Sequence, residues 1–240
     1  MEAHKLIERI TEVTHYTDKL FKIKTTRSKT FRFTAGEFVM ISLPEGTPKR
    51  AYSVCSGPYD DELEFYSIKV PDGPLTSKLK EVKVGDDLVI GEKPTGTLIT
   101  QNLELGGNLW LMATGTGIAP FMSLLRDPNT YSDFDKIFVT WTTRTLAEQD
   151  SYRIMLDEAE CEFIPTVTRE EFHRKGRITT LIKEGNIPQW ADASPKTDKV
   201  MLCGSMDFNN EMKEYLNERG WHEGNKTSAG NFVQEKAFVG

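Results

Sequence analysis

The strongest constraint on this chain is a change of pattern at Gly106-Gly107. Before it, short runs with period-two alternation or apolar character follow one another closely. They are Phe21-Lys22-Ile23-Lys24, Phe31-Arg32-Phe33, Phe38–Leu43, Arg50–Val54, Leu63–Val70 and Asp87–Ile90. Pro44-Glu45-Gly46, Gly57-Pro58 and Asp72-Gly73-Pro74 separate them as turns. Strands this frequent predict an antiparallel β-barrel. After the two glycines, apolar strands alternate with helical segments. Leu109–Ala113, Lys136–Trp141, Glu162–Val167 and Val200–Cys203 read as buried strands. Ile118–Arg126, Leu146–Leu156 and Met206–Arg219 read as helices, the last ended by Gly220, and Asn231–Gly240 reads as a final short strand with a tail. Such alternation predicts a parallel sheet in an α/β domain. The expected fold is therefore two domains, an N-terminal barrel over residues 1–101 and a parallel-sheet α/β domain over 102–240.

At 240 residues the chain is long enough for two cores. Residues 1–100 hold 15 Lys and Arg against 15 Asp and Glu, so the net charge of −6 lies wholly in the remainder. No basic stripe stands out, which argues against nucleic acid, although a local basic patch on the first half suits an acidic protein partner. Three cysteines, Cys55, Cys161 and Cys203, are far apart and odd in number, and the four histidines are dispersed. Neither a disulfide framework, a zinc site nor an iron–sulfur cluster is expected, so no metal residues are assigned. No apolar run has membrane length, and the first residues lack a secretory apolar core, so a cytoplasmic protein without a membrane span is expected.

Several segments carry chemistry. In Ala113-Thr114-Gly115-Thr116-Gly117-Ile118-Ala119-Pro120 a strand passes through two glycines straight into a helix. Such a turn lets main chain approach a phosphate and presents helix N–H groups to it; the alternative is a turn that only packs helix on strand. It has neither the third glycine of the dinucleotide fingerprint nor the lysine of a P-loop. Asp72-Gly73-Pro74-Leu75-Thr76-Ser77 is a second phosphate candidate, with a short helix opening at Thr76 or Ser77, or else an ordinary capped helix. Arg50-Ala51-Tyr52-Ser53 puts a cation, an aromatic face and a hydroxyl donor within four residues, the set a flavin needs, though core packing and a surface charge explain Tyr52 and Arg50 equally well. Arg144, Arg169 and Arg177 each follow a strand or lead into a helix. Where a NAD-selective fold carries a carboxylate after its second strand, this chain reads Thr142-Thr143-Arg144; arginines there suit a 2′-phosphate. Cys203-Gly204-Ser205 ends a strand where ligands sit in such sheets, and a structural buried cysteine is its plain alternative.

Together these segments resemble the ferredoxin–NADP reductase family over nearly the whole chain and in the right order. Arg50-Ala51-Tyr52-Ser53 is similar to its flavin motif, Gly73–Ser77 to its phosphate turn, Ala113–Phe121 to its nucleotide signature and Cys203-Gly204-Ser205 to its nicotinamide-side motif. Tyr66–Ser77 and Glu235-Lys236-Ala237-Phe238-Val239 resemble the bacterial ferredoxin/flavodoxin reductases most. The resemblance implies an FAD-binding barrel and an NADP(H) domain, with hydride passing between nicotinamide C4 and flavin N5 at their junction and one-electron steps to ferredoxin or flavodoxin. It implies that Tyr52 stacks on the isoalloxazine, that Ser53 contacts its N5 region, and that Cys203 faces the nicotinamide. Arg50, Thr76 and Ser77 would hold the FAD diphosphate, with Ala51, Tyr66, Ile68, Lys69, Val70, Gly73 and Leu75 completing the flavin site. Thr114, Gly115, Thr116, Gly117 and Gly204 would contact NADP(H), and Arg144, Arg169 and Arg177 its 2′-phosphate. Ala237 would sit over the flavin ring and Phe238 on the adenine. Two departures stand out. Trp141-Thr142-Thr143 occupies the place of a His-Gly-Val type run, and Val54-Cys55-Ser56 replaces Ile-Ala-Ser, bringing a thiol close to the flavin. A monomer is expected.

Two other readings remain open. One is an NADH-dependent reductase of the same fold serving an oxygenase or cytochrome, which the absent carboxylate and absent iron–sulfur cysteines count against. The other is a non-catalytic flavin or nucleotide subunit of a larger complex.

Overall fold

The computed structural model describes residues 5–46, 48–70 and 72–237. Proximity of the main chain divides it into two compact units. One is built from the chain up to Gly96 together with Ala119–Asp127, and the other from Thr97–Ile118 and Pro128–Ala237.

Six strands of the first unit form one antiparallel sheet among the described residues: β1 (Lys5–His15), β2 (Leu20–Thr26), β3 (Phe38–Ser42), β4 (Arg50–Ser53), β5 (Glu62–Ile68) and β6 (Asp87–Gly91). Their order is β4-β3-β6-β1-β2-β5. The two outer strands come back together where Val54 bridges Phe65 and the Cys55 N–H donates to the Glu64 carbonyl at 2.8 Å, which closes the sheet on itself. Inside lie Phe21, Ile23, Val39, Ile41, Val54, Leu63, Phe65, Leu88 and Ile90. Each such side chain contributes about 1.5–3 kcal/mol by leaving water. Two short helices belong to this unit, α1 (Thr76–Leu79) and α2 (Ala119–Leu124). Just beyond α2, Arg126 donates from Nη1 to the Cys55 carbonyl at 2.9 Å and pairs with the buried Glu64, whose other oxygen faces Lys22 at 3.5 Å.

Two expectations fail here. Phe31-Arg32-Phe33 is not a strand: the Phe31 N–H turns back to the Ser28 carbonyl, and the Phe31 carbonyl is taken by the guanidinium groups of Arg27 and Arg32. With its N–H and carbonyl both bonded locally, Phe31 has no main-chain group left for a neighbouring strand. The long β1 has no counterpart among the expected strands, because Lys5, Glu8, Arg9 and Glu12 interrupt any period-two alternation along it. Glu8 nonetheless points inward, accepting from Thr26 Oγ1 at 2.6 Å and the Ser28 N–H at 2.7 Å. A shift of register between Ile10 and Glu12 bends β1, so that Lys5–Arg9 pairs with β6 and Ile10–His15 with β2.

The second unit holds five parallel strands among the described residues: β7 (Asn108–Thr114), β8 (Lys136–Thr143), β9 (Glu162–Val167), β10 (Asp198–Gly204) and β11 (Phe232–Lys236). Their order is β11-β10-β7-β8-β9. They read as near-continuous apolar runs because a parallel sheet is covered on both faces; every residue of β10 is buried. Four helices accompany them, α3 (Pro128–Asp133), α4 (Arg153–Glu158), α5 (Ile178–Lys183) and α6 (Met206–Asn217). Ser205 caps α6 by accepting from the Phe208 N–H, and Gly220, at φ +79°, lies just beyond its end. The expected helix Leu146–Leu156 is instead a 3-10 turn, Leu146–Gln149, followed after a break by α4. Tyr152, at φ −132° and ψ 7°, marks the interruption.

At the opposite end of this sheet from the strand C-termini, Asp198 is a buried anchor. Its carboxylate accepts from Trp110 Nε1, Asn108 Nδ2, Thr197 Oγ1 and the Ser194 N–H at 2.6–3.1 Å. Burial raises its pKa, but those four bonds outweigh burial and hold it below the usual carboxylate range. A carboxyl lowered on folding stabilises above its unfolded pKa, about 3.9, and that contribution is lost as pH falls through the folded value. Asp198→Asn is expected to lower stability by about 1–3 kcal/mol at neutral pH. It should also flatten the loss of stability below about pH 4. Urea unfolding followed by tryptophan fluorescence at several pH values measures both, and identical pH profiles for the two proteins contradict the assignment.

Candidate functional site

The carboxyl ends of the parallel strands bring most of the second-unit candidates together. From Thr114 at the end of β7 the chain enters a 3-10 turn, Gly115–Ile118, before α2. Gly115 takes φ +54°, and a methyl group added there meets nothing within 4 Å. Gly117 is the opposite case. A Cβ on it would stand 2.0 Å from the carbonyl oxygen of Cys203, so only glycine lets this turn lie against the end of β10. Gly204 is equally confined, with Thr114 Oγ1 2.2 Å and Phe208 Cδ1 2.7 Å from its would-be Cβ. Thr114 Oγ1 in turn accepts the Ser205 N–H at 3.1 Å. The glycine turn and the Cys203-Gly204-Ser205 segment are thus interlocked. Open space at Gly115 beside N–H groups at a helix start is a cradle a diphosphate fits.

The arginines gather one strand-pair further along. β8 and β9 are neighbours, and their ladder runs on past the strands: the Thr168 N–H donates to the Thr143 carbonyl at 3.0 Å and the Arg169 N–H to the Arg144 carbonyl at 2.9 Å. The Gly176 N–H donates to the Val167 carbonyl at 2.8 Å, which brings Arg177, the residue before α5, back to the end of β9. All three arginines are exposed, and among the described residues their guanidinium groups form no ion pair or side-chain hydrogen bond. Nearby carboxylates are engaged with main chain. Glu148 Oε2 accepts the Arg144 N–H at 2.9 Å, and Glu170 Oε1 accepts the Leu146 N–H. This is an arrangement suited to a multiply charged anion.

Cys203 is almost wholly buried, and burial first, then the nearby Glu235 carboxylate, pushes its thiol well above the usual range. It is a neutral group at any physiological pH. Glu235 lies opposite Cys203 in the β10–β11 register, and its Oε2 accepts the Thr97 N–H at 2.9 Å. Ala237 extends the same pairing by donating its N–H to the Gly204 carbonyl at 2.9 Å. Phe238 lies outside the described residues.

In the first unit, Tyr52 on β4 is buried, and its hydroxyl is within 3.0 Å of Ser67 Oγ on β5. Burial raises its pKa against smaller opposing effects of Ser67 and Arg50, so the phenol stays neutral. Ser53 and Ser77 are half-exposed, and their hydroxyls have no protein partner among the described residues, while Arg50 reaches only the carbonyl of Lys49, at 3.0 Å. Ala51 is half-exposed beside them. Tyr66 is buried in β5, whereas Ile68, Lys69 and Val70 at and beyond its end are half-exposed. The Gly73 turn is tight: a Cβ there would stand 2.2 Å from Thr76 Oγ1, which itself donates toward the Val70 carbonyl at 3.4 Å. Leu75 and Thr76 are buried, and Asp72 holds φ +59°, a strained setting for a residue with a side chain. Cys55 is buried, its thiol 3.9 Å from the Ser53 carbonyl.

Two side chains at the strand ends escaped the sequence reading. The Trp141 indole donates from Nε1 to the Gly115 carbonyl at 2.8 Å. Gln149 donates from Nε2 to the Trp141 carbonyl, Thr143 Oγ1 and the Thr166 carbonyl at 2.9–3.3 Å. The unusual tryptophan at the end of the second strand was the available signal for the first; nothing marked the second.

The Oxidoreductase NAD-binding domain family model matches residues 111–214. The chain is 45% identical to the flavodoxin/ferredoxin–NADP reductase of Rhodobacter capsulatus, over 96% of this chain and 92% of that one. It is 40% identical to the ferredoxin–NADP reductase of Azotobacter vinelandii, over 97% of each. Among solved structures, a ferredoxin NADP+ reductase from Neisseria gonorrhoeae with bound FAD and NADP is similar with a TM-score of 0.90 at 28% identity, covering 98% of this chain and 99% of that one. A flavohemoglobin from Malassezia yamatoensis, at 19% identity and a TM-score of 0.77, shares the fold.

The two glycines of the turn make opposite expectations. Gly117→Ala drives a methyl group into a main-chain oxygen and is expected to cost about 3 kcal/mol or more, the upper end for overpacking. Gly115→Ala meets no atom and incurs only the left-handed conformation, about 1–2 kcal/mol. Chemical denaturation of both variants measures the difference, and equal losses contradict the close approach to Cys203.

Proposed function

The chain belongs to the ferredoxin–NADP reductase family, and on that premise we propose that it binds FAD and NADP(H) and passes electrons between the nicotinamide and ferredoxin or flavodoxin. The observation that carries the NADP(H) half is the gathering of Arg144, Arg169 and Arg177 at the ends of β8 and β9, with the adjacent carboxylates turned to main-chain N–H groups. A carboxylate free at that place would favour a ribose 2′-hydroxyl; free guanidinium groups favour a 2′-phosphate.

FAD, when bound, supplies the conversion between a two-electron nicotinamide and a one-electron carrier. The protein's share is to hold and orient. Thr114, Gly115, Thr116 and Gly117 cradle the NADP(H) diphosphate, while Cys203 and Gly204 shape the floor where the β10 strand ends. The Cys203 thiol is uncharged and excludes water without exchanging a proton. Tyr52 offers a neutral aromatic face, with Ser53 as donor beside it. Arg50, Thr76 and Ser77 hold the FAD diphosphate, and Ala51, Tyr66, Ile68, Lys69, Val70, Gly73 and Leu75 line the flavin. No strong acid or base is needed for hydride transfer, which agrees with the neutral side chains gathered here.

Among the described residues no helix is long and apolar enough to cross a membrane. A monomer in the cytoplasm is part of the same proposal. The chain's net charge of −6 gives nucleic acid no footing.

Purified protein is expected to be yellow and to release FAD on boiling. Loss of the charge-assisted contact in Arg144→Ala is expected to raise the NADPH KM about ten- to a hundredfold with little change for NADH. Steady-state diaphorase assays with both nucleotides measure it; equal losses for the two contradict the 2′-phosphate role. Tyr52→Ala is expected to lower retained FAD per chain, read from the ratio of flavin to protein absorbance after gel filtration.

A further inference from the structure

We propose that Trp141 and Gln149 are positioning residues that brace the glycine turn against the arginine loop, so that one hydrogen-bonded chain holds both ends of the nucleotide site. The inference rests on the nucleotide reading above and concerns two residues that have no contact with substrate assigned to them.

Trp141 lies near the end of β8 with no exposed surface, and its only polar side-chain atom donates to the Gly115 carbonyl at 2.8 Å. Gly115 is the residue held at φ +54°. In a planar trans peptide the carbonyl and the following N–H point in opposite directions. By drawing the Gly115 oxygen toward its ring nitrogen, the indole therefore turns the Thr116 N–H the other way. A glycine with open space around it has no side chain to fix that peptide. The indole bond does so instead.

The same tryptophan is held from behind. Its carbonyl accepts from Gln149 Nε2 at 3.1 Å. That nitrogen also faces Thr143 Oγ1 at 2.9 Å and the Thr166 carbonyl at 3.3 Å. Thr143 Oγ1 uses its own proton on the Thr145 carbonyl at 2.8 Å, so all three groups around the amide nitrogen are acceptors, which settles which end of the amide faces them. Gln149 is 1% exposed and spans the ends of β8 and β9. Arg144 sits between Thr143 and Thr145, and Arg169 pairs with it from the β9 side. The amide thus sets the spacing of the two loops that carry these arginines. A chain of bonds runs Gly115–Trp141–Gln149–Thr143–Thr145, from the diphosphate turn to the 2′-phosphate arginines.

Calorimetric titration of the FAD-loaded protein with NADP+ and with 2′-AMP separates the two ends, because 2′-AMP reaches the arginines but lacks the diphosphate bridge. Trp141→Phe, which keeps a ring and removes the donor, is expected to weaken NADP+ about three- to tenfold, the worth of one neutral hydrogen bond, with 2′-AMP unchanged. Trp141→His, which retains a ring N–H, is expected to recover part of that loss. Gln149→Leu is expected to weaken both ligands, 2′-AMP included, at unchanged flavin content. The proposal is overturned if Trp141→Phe binds NADP+ as the wild type does, if it weakens both ligands alike, or if Gln149→Leu leaves 2′-AMP unaffected. Should Trp141→Phe not fold, the Gln149→Leu titration decides alone. Wild-type protein that binds neither ligand refutes the nucleotide reading itself, a separate outcome.

Discussion

The second unit is organised by one main-chain contact, the approach of Gly117 to the carbonyl of Cys203. No side chain larger than hydrogen fits between them. Because the turn after β7 is pressed onto the end of β10, the central strands finish at a common level, and Gly204 repeats the condition in the other direction against Thr114. Two sequence segments separated by more than eighty residues are therefore two halves of one contact. A substitution in either is felt by both, since packed main chain has no rotamer with which to yield.

Around that contact, charge and neutrality are divided in space. Guanidinium groups stand at the β8–β9 end, where a phosphate would need them. At the β10 end the chemistry-bearing side chain, Cys203, is kept uncharged by burial. In the barrel Tyr52 is likewise kept neutral by burial. Hydride transfer is served by alignment and exclusion of water rather than by proton exchange. A site with no shifted acid–base pair is consistent with a protein whose reactivity resides in its cofactors.

How far the sequence reveals this depends on where each element's hydrogen bonds go. The parallel strands were legible because both their faces are covered, which writes them as apolar runs such as Leu109–Ala113 and Val200–Cys203. The glycine turn and the Arg50–Ser53 strand were legible as motifs. The strand β1 was not, because Glu8 is buried with its carboxylate satisfied by Thr26 and Ser28, partners eighteen and twenty residues away. Phe31–Phe33 has strand periodicity but lends its carbonyl to Arg27 and Arg32. The Leu146–Leu156 helix is interrupted at Tyr152, whose φ −132° and ψ 7° leave the helical range, while Gln149 before it bonds inward to the strand ends. Trp141 was visible as a departure from family pattern, yet its role depends on a hydrogen bond to a residue twenty-six positions earlier.

The central claim is that this chain couples NADPH to a bound FAD. Anaerobic titration of the purified protein, followed through the visible absorbance of its flavin, tests it most directly. The account predicts that stoichiometric NADPH bleaches the band, that NADH does so far less readily, and that adding oxidised flavodoxin or ferredoxin restores it. A flavin band that NADPH leaves unchanged, or protein that carries no flavin after reconstitution with FAD, contradicts it.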